Sequence, residues 1–321
     1  MNAEIRGMDY FLGIDAGGTK TAAAIADAAG TERGRGTGGP CSLTTGDYPQ
    51  WTRAVRDAAR MACRRADLPE DTRFKAVCAG VAGYSMKEKR GEFAAILAEE
   101  VSADFYDLTP DYEIAYWGAS GGEPGIVAIA GTGAVAFGRN AQGETHKADG
   151  LGFLLGDAGS GFALGRAALE ITLKNLQAKR SEPFSDAILA YLGAVAEEDI
   201  LSWLYQDFSP GRAASLAPLV GQWAARKNET ACELLRDAAI SHRANVHQIR
   251  SRLLLSAETP IYPLGGLWQI GAFFREQFAC PAWKSTKEAE WTAAPLRYPI
   301  TEPRFDAAMG AALFARHKAE K

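Results

Sequence analysis

The pattern of apolar and polar positions in the first third of the chain predicts alternating strands and helices. Two apolar runs around "IDAGGTK" predict a β-hairpin, and a third strand follows it. In "YPQWTRAVRDAARMACRRAD" the residues Trp51, Val55, Ala58, Ala59 and Ala62 share one face, which predicts an amphipathic helix. "FKAVCAGVAG" and "SADFYDL" then read as strands, each followed by a helix. The order β-β-β-α-β-α-β-α predicts an α/β sheet that begins antiparallel and continues parallel.

The pattern changes to mostly helical between Phe162 and about Leu255. "TPIYPLGG" then predicts a strand, and residues 267 to 278 predict a helix. A last helix, from Phe305 to about Lys318, is expected to pack back on the first domain. The stretch from Cys280 to Pro303 is rich in Pro, Trp and charge, and its pattern predicts no particular element.

A weak internal repeat divides the chain. "FLGIDAGGTKTAAAIADAAGTE" and "GIVAIAGTGAVAFGRNAQGETH" share one plan, an apolar strand, a Gly-Thr turn and a second apolar strand. A separation of about 114 positions is too long for a solenoid and indicates two related domains. We therefore expect one domain over residues 1–118 with the helix 305–318, and another over residues 119–304 with a helical insertion.

Composition excludes several classes of protein. The chain has 321 residues, 47% of them hydrophobic and 23% charged, and a formal net charge of −4. This charge offers no basic surplus for nucleic acid, and no apolar run approaches the roughly 20 residues of a membrane span. The five cysteines show no C-x-x-C spacing, which favours reduced thiols. We expect a cytoplasmic protein that binds neither nucleic acid nor membrane.

The turn "DAGGTK" after the first strand admits two interpretations. A tight hairpin needs only Gly17 and Gly18, whereas a phosphate loop would also use Asp15 and Lys20, and this stretch alone does not decide between them. Two common nucleotide motifs do not apply. "GRGTGG" matches G-x-G-x-x-G but opens no helix, and the lysine placement does not fit a Walker A motif.

Three glycine elements together suggest another way of binding ATP. Turns at residues 17–19 and 131–133, facing each other from two domains, would offer backbone N–H groups and the hydroxyls of Thr19 and Thr132 to phosphates. A third element, Gly265-Gly266, could offer a flat backbone surface to a purine and ribose, although helix–strand packing explains it equally well alone.

This combination carries a family resemblance. D-x-G-G-T-K, "GIVAIAGTGAVAFGR", "GLGFLLGDAGSGFALGRAAL", "PLGGLW" and "MGAAL" resemble the sugar kinase, Hsp70 and actin superfamily, and within it the N-acetylglucosamine kinase branch grouped with BadF/BadG/BcrA/BcrD-type ATPases. The resemblance implies an α/β fold of two ribonuclease-H-like (actin-like ATPase) domains, with a cleft that closes over ATP, Mg²⁺ and a sugar. It leaves a homodimer open.

The resemblance also implies roles for individual residues. Asp111 corresponds to the catalytic base, and Asp15 to the metal-binding carboxylate. The implied phosphate-binding residues are Gly17, Gly18, Thr19, Lys20, Gly131, Thr132 and Gly133. The implied adenosine-binding residues are Gly265 and Gly266, and the implied sugar-binding residues are Asp111, Gly150, Leu151, Asp157 and Ser42.

Plain structural roles compete with these assignments. Asp111 follows Pro110 at a predicted helix start, where an acid often acts only as a cap or dipole partner, and Asp157 could cap the helix near Phe162. Asp107 is a rival base. The positions of Leu151 and Ser42 depart from the family pattern, which typically has Trp and Asn there.

The function expected from the resemblance is phosphoryl transfer from ATP to an aminosugar hydroxyl, on N-acetylglucosamine or glucosamine. Because the departures surround the implied sugar pocket, they leave the choice of sugar open. The alternative is an ATPase that drives a partner enzyme and has no sugar substrate.

Overall fold

A computed structural model describes residues 8–279 and 297–321. The chain divides into two compact units. Unit 1 contains the described residues up to Glu123 together with Glu302–Lys321, and unit 2 is Pro124–Thr301. Cys280 and most of the Pro- and Trp-rich stretch after it lie outside the described residues.

Unit 1 is built on a five-stranded sheet of order β3-β2-β1-β4-β5. Its elements up to Glu123 are β1 (Tyr10–Ala16), β2 (Thr21–Asp27), β3 (Glu32–Gly38), α1 (Tyr48–Arg65), β4 (Ala76–Val81), α2 (Lys87–Glu100), β5 (Tyr106–Pro110) and α3 (Asp111–Ser120). β1–β2 and β2–β3 pair antiparallel, and β1–β4 and β4–β5 pair parallel. The predicted element order and the change of strand direction are confirmed.

The apolar pattern explains this arrangement. Every residue of β4 is buried, as expected for an inner parallel strand covered on both faces. The side chain of Asp47 accepts a hydrogen bond from the N–H of Gln50 and caps α1. All five residues predicted on the apolar face of α1 are buried, and Trp51 meets Phe93 of α2 edge to face. The sheet therefore carries its main apolar cluster on the side of α1 and α2.

Unit 2 combines a four-stranded sheet of order β8-β7-β6-β9 with a layer of helices. Its elements are β6 (Gly125–Ala130), β7 (Ala134–Arg139), β8 (Thr145–Asp149), α4 (Gly161–Gln177), α5 (Pro183–Leu192), α6 (Glu197–Tyr205), α7 (Pro210–Ala214), α8 (Ala217–Ala225), α9 (Glu229–Leu253), β9 (Ile261–Leu264), a 3-10 turn (Gly266–Gln269) and α10 (Ala272–Ala279). β6 pairs antiparallel with β7 and parallel with β9. The predicted hairpin and the predicted return strand are confirmed, as is the α/β class.

Two details of unit 2 differ from the sequence prediction. β8 was not predicted, because "THKAD" lacks the apolar alternation of a strand. The helix expected over residues 267–278 is split into the 3-10 turn and α10. Gly271 lies between them with a φ of 152°, a conformation that interrupts helical hydrogen bonding.

The structure also bears on two expectations drawn from composition, the state of the cysteines and the lack of a membrane span. Cys41, Cys63, Cys78 and Cys232 are buried free thiols, in agreement with the prediction for these four. Within the described ranges, no helix is both long enough and apolar enough to cross a membrane.

The last helix of the described chain, α11 (Ala307–Ala319), lies against unit 1. Ala308, Met309 and Ala312 form an apolar cluster with Ala24 and Ala26 of β2. The backbone of α11 also comes very close to β1. A Cβ atom at Gly13 would lie 2.2 Å from the carbonyl oxygen of Ala308 and 2.2 Å from the nitrogen of Ala312.

We predict that Gly13→Ala destabilises the protein by roughly 3 kcal/mol, because a methyl group there would overlap backbone atoms that cannot move independently. Urea unfolding monitored by circular dichroism measures the change. Gly91→Ala is the matched control. Gly91 lies on α2, and a Cβ added there would meet no heavy atom within 4 Å, so alanine should be neutral or stabilise by up to about 1 kcal/mol. Equal effects of the two substitutions would contradict the packing argument.

Candidate functional site

The β1–β2 turn of unit 1 holds exposed backbone in a fixed conformation. The N–H of Gly17 donates to the carbonyl of Lys20 over 3.1 Å, and the N–H of Cys41 donates to the carbonyl of Gly17 over 2.8 Å. Gly18, Thr19 and Lys20 are exposed, and a Cβ at Gly18 would meet no atom within 4 Å. The turn therefore presents open backbone, a hydroxyl and an ammonium group to a ligand.

Asp15 lies near two further carboxyl groups beside this turn. Asp15 is partly buried on β1, and its pKa is raised to about 7, first by burial and then by the charges of Asp111 and Asp306, against the opposing charge of Lys20. Asp306 caps α11, and its carboxylate oxygens accept hydrogen bonds from Arg35. A bound cation would relieve the unfavourable proximity of Asp15 and Asp111.

The donor set at this edge fits Mg²⁺ bound together with phosphates. Mg²⁺ is typically held by one or two carboxylates and by substrate phosphate oxygens, with water completing the octahedron. Asp15 and Asp111 supply such carboxylates. In the part of the chain that the structure describes, no group of three or more His, Cys, Asp or Glu side chains could enclose a metal alone.

Asp111 is the first residue of α3, at the carboxyl end of β5, and it is exposed. The cap position belongs to Pro110, whose side chain makes no capping hydrogen bond, and one carboxylate oxygen of Asp111 accepts the N–H of Tyr112 over 2.9 Å. The rival base Asp107 forms an ion pair of 3.5 Å with Lys318 of α11. A structural role therefore fits Asp107 better than Asp111.

Ser42 lies at the same edge of the sheet but is buried. Its hydroxyl is 2.9 Å from the hydroxyl of Thr44 and 3.3 Å from the carbonyl oxygen of Ala82. These contacts hold the loop after β3 against the end of β4. Thr44 and Thr45 are exposed, so a ligand could reach the hydroxyls of these two residues of the loop.

The β6–β7 turn of unit 2 repeats the arrangement of the first turn. The N–H of Gly131 donates to the carbonyl of Gly133 over 2.9 Å, and the N–H of Gly161 donates to the carbonyl of Gly131 over 2.8 Å. Phe162 donates in the same way to Thr132 over 3.2 Å. The first turn of α4 thus fixes the hairpin turn, while a Cβ at Gly131 would still meet open space.

Asp157 lies directly against this turn. A Cβ at Gly133 would be 2.6 Å from one carboxylate oxygen of Asp157, and the other oxygen accepts the N–H of Gly152 over 3.2 Å. Burial raises the pKa of Asp157 above its ordinary value, although N–H groups of Gly152 and Ala134 oppose the shift. The cap of α4 is Ser160, whose hydroxyl accepts the N–H of Ala163, so the capping role considered for Asp157 is not observed.

The loop that carries Asp157 is shaped by Asp149. The two carboxylate oxygens of Asp149 accept the N–H groups of Asp157, over 2.7 Å, and of Ala158, over 2.9 Å. Asp157 itself has a φ of 57°, in the left-handed region. Gly150 and the exposed Leu151 begin the loop that runs from Asp149 to Asp157. Gly150, Leu151 and Asp157 therefore belong to one segment.

Gly265 completes the site in unit 2. Its φ is 99°, and a Cβ there would lie 2.4 Å from the carbonyl oxygen of Ala130 and 3.0 Å from the nitrogen of Gly131. Only glycine suits both the conformation and the contact. The structure therefore joins the third glycine element to the β6–β7 turn, while a Cβ at Gly266 would meet open space.

A buried histidine supports the Asp157 loop from behind. His242 of α9 places Nε2 3.2 Å from the carbonyl oxygen of Gly159, so Nε2 must carry the proton and donate. The ring packs against Trp268 and Phe274. Burial lowers the pKa of His242 to about 4. The sequence analysis assigned no role to Asp149 or Asp306, because neither belongs to a local motif.

The chain is similar to known proteins along most of its length. Residues 12–315 match the profile of the BadF/BadG/BcrA/BcrD ATPase family. The chain is 26% identical over 324 residues to N-acetyl-D-glucosamine kinase of Dictyostelium discoideum, covering 96% of this chain and 98% of that protein. It is 25% identical over 310 residues to a glucosamine kinase of Vibrio cholerae, covering 96% of each chain.

A solved structure shows the same fold. A candidate N-acetylglucosamine kinase from Chromobacterium violaceum is 28% identical, with a TM-score of 0.76, over 96% of this chain and 99% of that chain. The resemblance inferred from the sequence motifs is confirmed.

We predict that lowering the pH reduces the free energy of unfolding because His242 is buried in its neutral form. Between pH 6.5 and about pH 4, the unfolded chain binds a proton at this ring that the folded protein does not bind, so stability falls as the pH is lowered through this window. Replacement by Phe should remove this contribution. The stability of His242→Phe relative to the parent should then rise by about 3 kcal/mol from pH 7 to pH 4.

Urea unfolding at a series of pH values measures this difference. Phe274→Leu is the control, because it alters the same packing without removing a titrating group and should shift stability equally at all pH values. A His242→Phe difference that does not change with pH would contradict the prediction.

Proposed function

The chain belongs to the BadF/BadG/BcrA/BcrD ATPase family, and we propose that it is an ATP-dependent sugar kinase acting on a hydroxyl of an aminosugar. N-Acetylglucosamine and glucosamine are the proposed substrates, as the names of two relatives suggest. The observation that carries the proposal is the exposed Asp111 carboxylate beside Asp15. Phosphoryl transfer to an alcohol needs both a base and a carboxylate that holds a metal ion.

The glycine turns are the proposed phosphate-binding elements. Unit 1 offers open backbone at Gly18 with the side chains of Thr19 and Lys20, and unit 2 offers Gly131, Thr132 and Gly133. Backbone N–H groups in such turns bind phosphate oxygens, and lysine adds a positive charge. Gly265 and Gly266 are the proposed adenosine contacts, since they adjoin the β6–β7 turn and Gly266 leaves a flat open surface.

Asp15 is the proposed Mg²⁺ ligand. When bound with ATP, the ion would neutralise charge that develops on the transferred phosphoryl group. The raised pKa of Asp15 is consistent with a carboxyl group that is poorly compensated by the protein itself.

Asp111 is the proposed general base. It would accept the proton of the sugar hydroxyl as the oxygen attacks the γ-phosphorus, and it is exposed at the start of α3. Asp111 lies in the first turn of α3, where the positive end of the helix dipole favours a negative charge.

The loop of unit 2 that contains Gly150, Leu151 and Asp157 is the proposed sugar contact. Asp157 can accept hydrogen bonds from sugar hydroxyls, and Leu151 offers an exposed apolar surface at a position where related kinases typically have tryptophan. The role of Ser42 is proposed as indirect, since its hydroxyl already holds Thr44 and Ala82.

We predict that ATP consumption depends on sugar. The test measures ADP formation with Mg²⁺ and ATP in the presence of N-acetylglucosamine, glucosamine, N-acetylmannosamine or glucose, and without sugar. An aminosugar should raise the rate by at least roughly tenfold, because only a bound hydroxyl lets Asp111 act as a base. Equal rates with and without every sugar would instead support an ATPase that drives a partner enzyme.

We further predict that Asp111→Asn lowers kcat by roughly 10² to 10⁴ and leaves ATP affinity nearly unchanged, because the amide keeps the shape but cannot accept the proton. Steady-state kinetics and calorimetric ATP binding measure the two effects. Asp107→Asn is the matched control and should retain most of the activity, since Asp107 is already paired with Lys318. Full activity in Asp111→Asn would move the role of base to another carboxylate.

A further inference from the structure

Unit 2 contains an apolar cavity beside the proposed sugar loop. Its volume is about 360 Å³, which falls within the range of small-molecule pockets. The floor is formed by buried side chains of α4, α6 and α7, namely Leu169, Ile200 and Ala213. The opening is lined by Leu154, Tyr205 and Phe208, which are 82%, 65% and 43% exposed.

Three aromatic rings form one wall of the cavity. The ring centroids of Phe153 and Phe162 are 5.0 Å apart, and Phe208 lies 5.8 Å and 6.4 Å from them. Aromatic and aliphatic side chains left open to water in this way are unusual in a folded protein and typically mark a binding surface. The cavity is thus suited to an apolar chain.

The wall adjoins the proposed sugar and phosphate contacts through the backbone. Phe153 directly follows Gly152, whose N–H donates to Asp157. Phe162 donates its own N–H to the carbonyl of Thr132 in the β6–β7 turn. A sugar held at Asp157 would therefore lie next to a segment that lines the cavity, and its substituent could extend toward the cavity.

Charged groups at the rim distinguish between possible ligands. Arg166 and Glu170 lie one turn apart on α4, with 3.4 Å between Nε and a carboxylate oxygen, and both line the cavity. Together they offer a donor and an acceptor, which match the C=O and N–H of an amide. Glu170 already neutralises Arg166, so the pair offers no net positive charge to the carboxylate of a fatty acid.

We propose that this cavity binds the acyl chain of an N-acylated aminosugar whose acyl group is longer than acetyl. The proposal rests on the proposed kinase function and extends its substrate class. Arg166 and Glu170 bind the amide, and the aromatic wall covers the chain. Each buried methylene should raise kcat/KM by up to about fourfold.

The experiment compares kcat/KM for N-acetyl-, N-butanoyl- and N-hexanoylglucosamine with Mg²⁺ and ATP. We expect the N-hexanoyl sugar to exceed the N-acetyl sugar by at least about tenfold in the parent protein. Leu204 of α6 also lines the cavity. In Leu204→Trp the larger ring fills the cavity, so this gain should disappear while the N-acetyl value stays within about twofold. Val195→Trp is the matched control, since Val195 is exposed in the same unit but does not line the cavity.

Phe208→Ser provides a second variant, because Phe208 is partly exposed and its loss should not prevent folding. It should reduce the gain without filling the cavity. A kcat/KM that falls from acetyl to hexanoyl in the parent would overturn the proposal. So would a gain that both Leu204→Trp and Phe208→Ser retain.

Calorimetric binding of the same sugars separates this proposal from the kinase function. If no sugar is phosphorylated, the proposed function fails, while tighter binding of the N-hexanoyl sugar that Leu204→Trp abolishes would still support the cavity. Sedimentation equilibrium tests a second copy of the chain as the occupant. A dimer that Leu204→Trp dissociates, with no effect of chain length, would overturn the acyl proposal.

Discussion

The conformation of the loop that carries Asp157 in unit 2 depends on the carboxylate of Asp149. By accepting the N–H groups of Asp157 and Ala158, it holds Asp157 in the left-handed conformation and turns its side chain toward Gly133. The same loop contains Leu151, which is exposed, and Phe153, which packs against Phe162 in the aromatic wall of the cavity. One acid at the end of β8 thus positions both the polar group and the apolar surface on which the proposed substrate contacts rest.

Close backbone contacts fix the positions of the glycine elements. Gly265 brings the end of β9 against the backbone of Ala130 and Gly131, and Gly161 ties α4 to the same turn. Unit 1 achieves the same result by other means, since the N–H of Cys41 holds Gly17 from the loop after β3. In each unit a neighbouring segment donates a hydrogen bond to the first glycine of the turn, Gly17 or Gly131, and this restraint lowers the entropic cost of binding an anion.

Local pattern was sufficient to predict the strands and helices of unit 1, because each apolar run there is bounded by clear turns. Local pattern also predicted the hairpin of unit 2, and the local motifs were sufficient to predict the family. β8 escaped prediction because its side chains are mostly polar and its pairing with β7 is a tertiary contact. Asp306 escaped because it approaches Asp15 only after the fold brings together positions far apart in sequence. The burial of Ser42 likewise depends on Ala82, which no local motif connects to it.

The position of α11 has a consequence for synthesis of the chain. Unit 2 is one uninterrupted segment, so it can fold as soon as it has left the ribosome. Unit 1 cannot complete its packing at that stage, because the alanine-rich face of β2 packs against Ala308, Met309, Ala312 and Leu313, which are translated after unit 2 is complete. Until then that face stays open to water, and the nascent protein carries a finished second unit attached to an unfinished first one. A chaperone that binds apolar strands would find its target there.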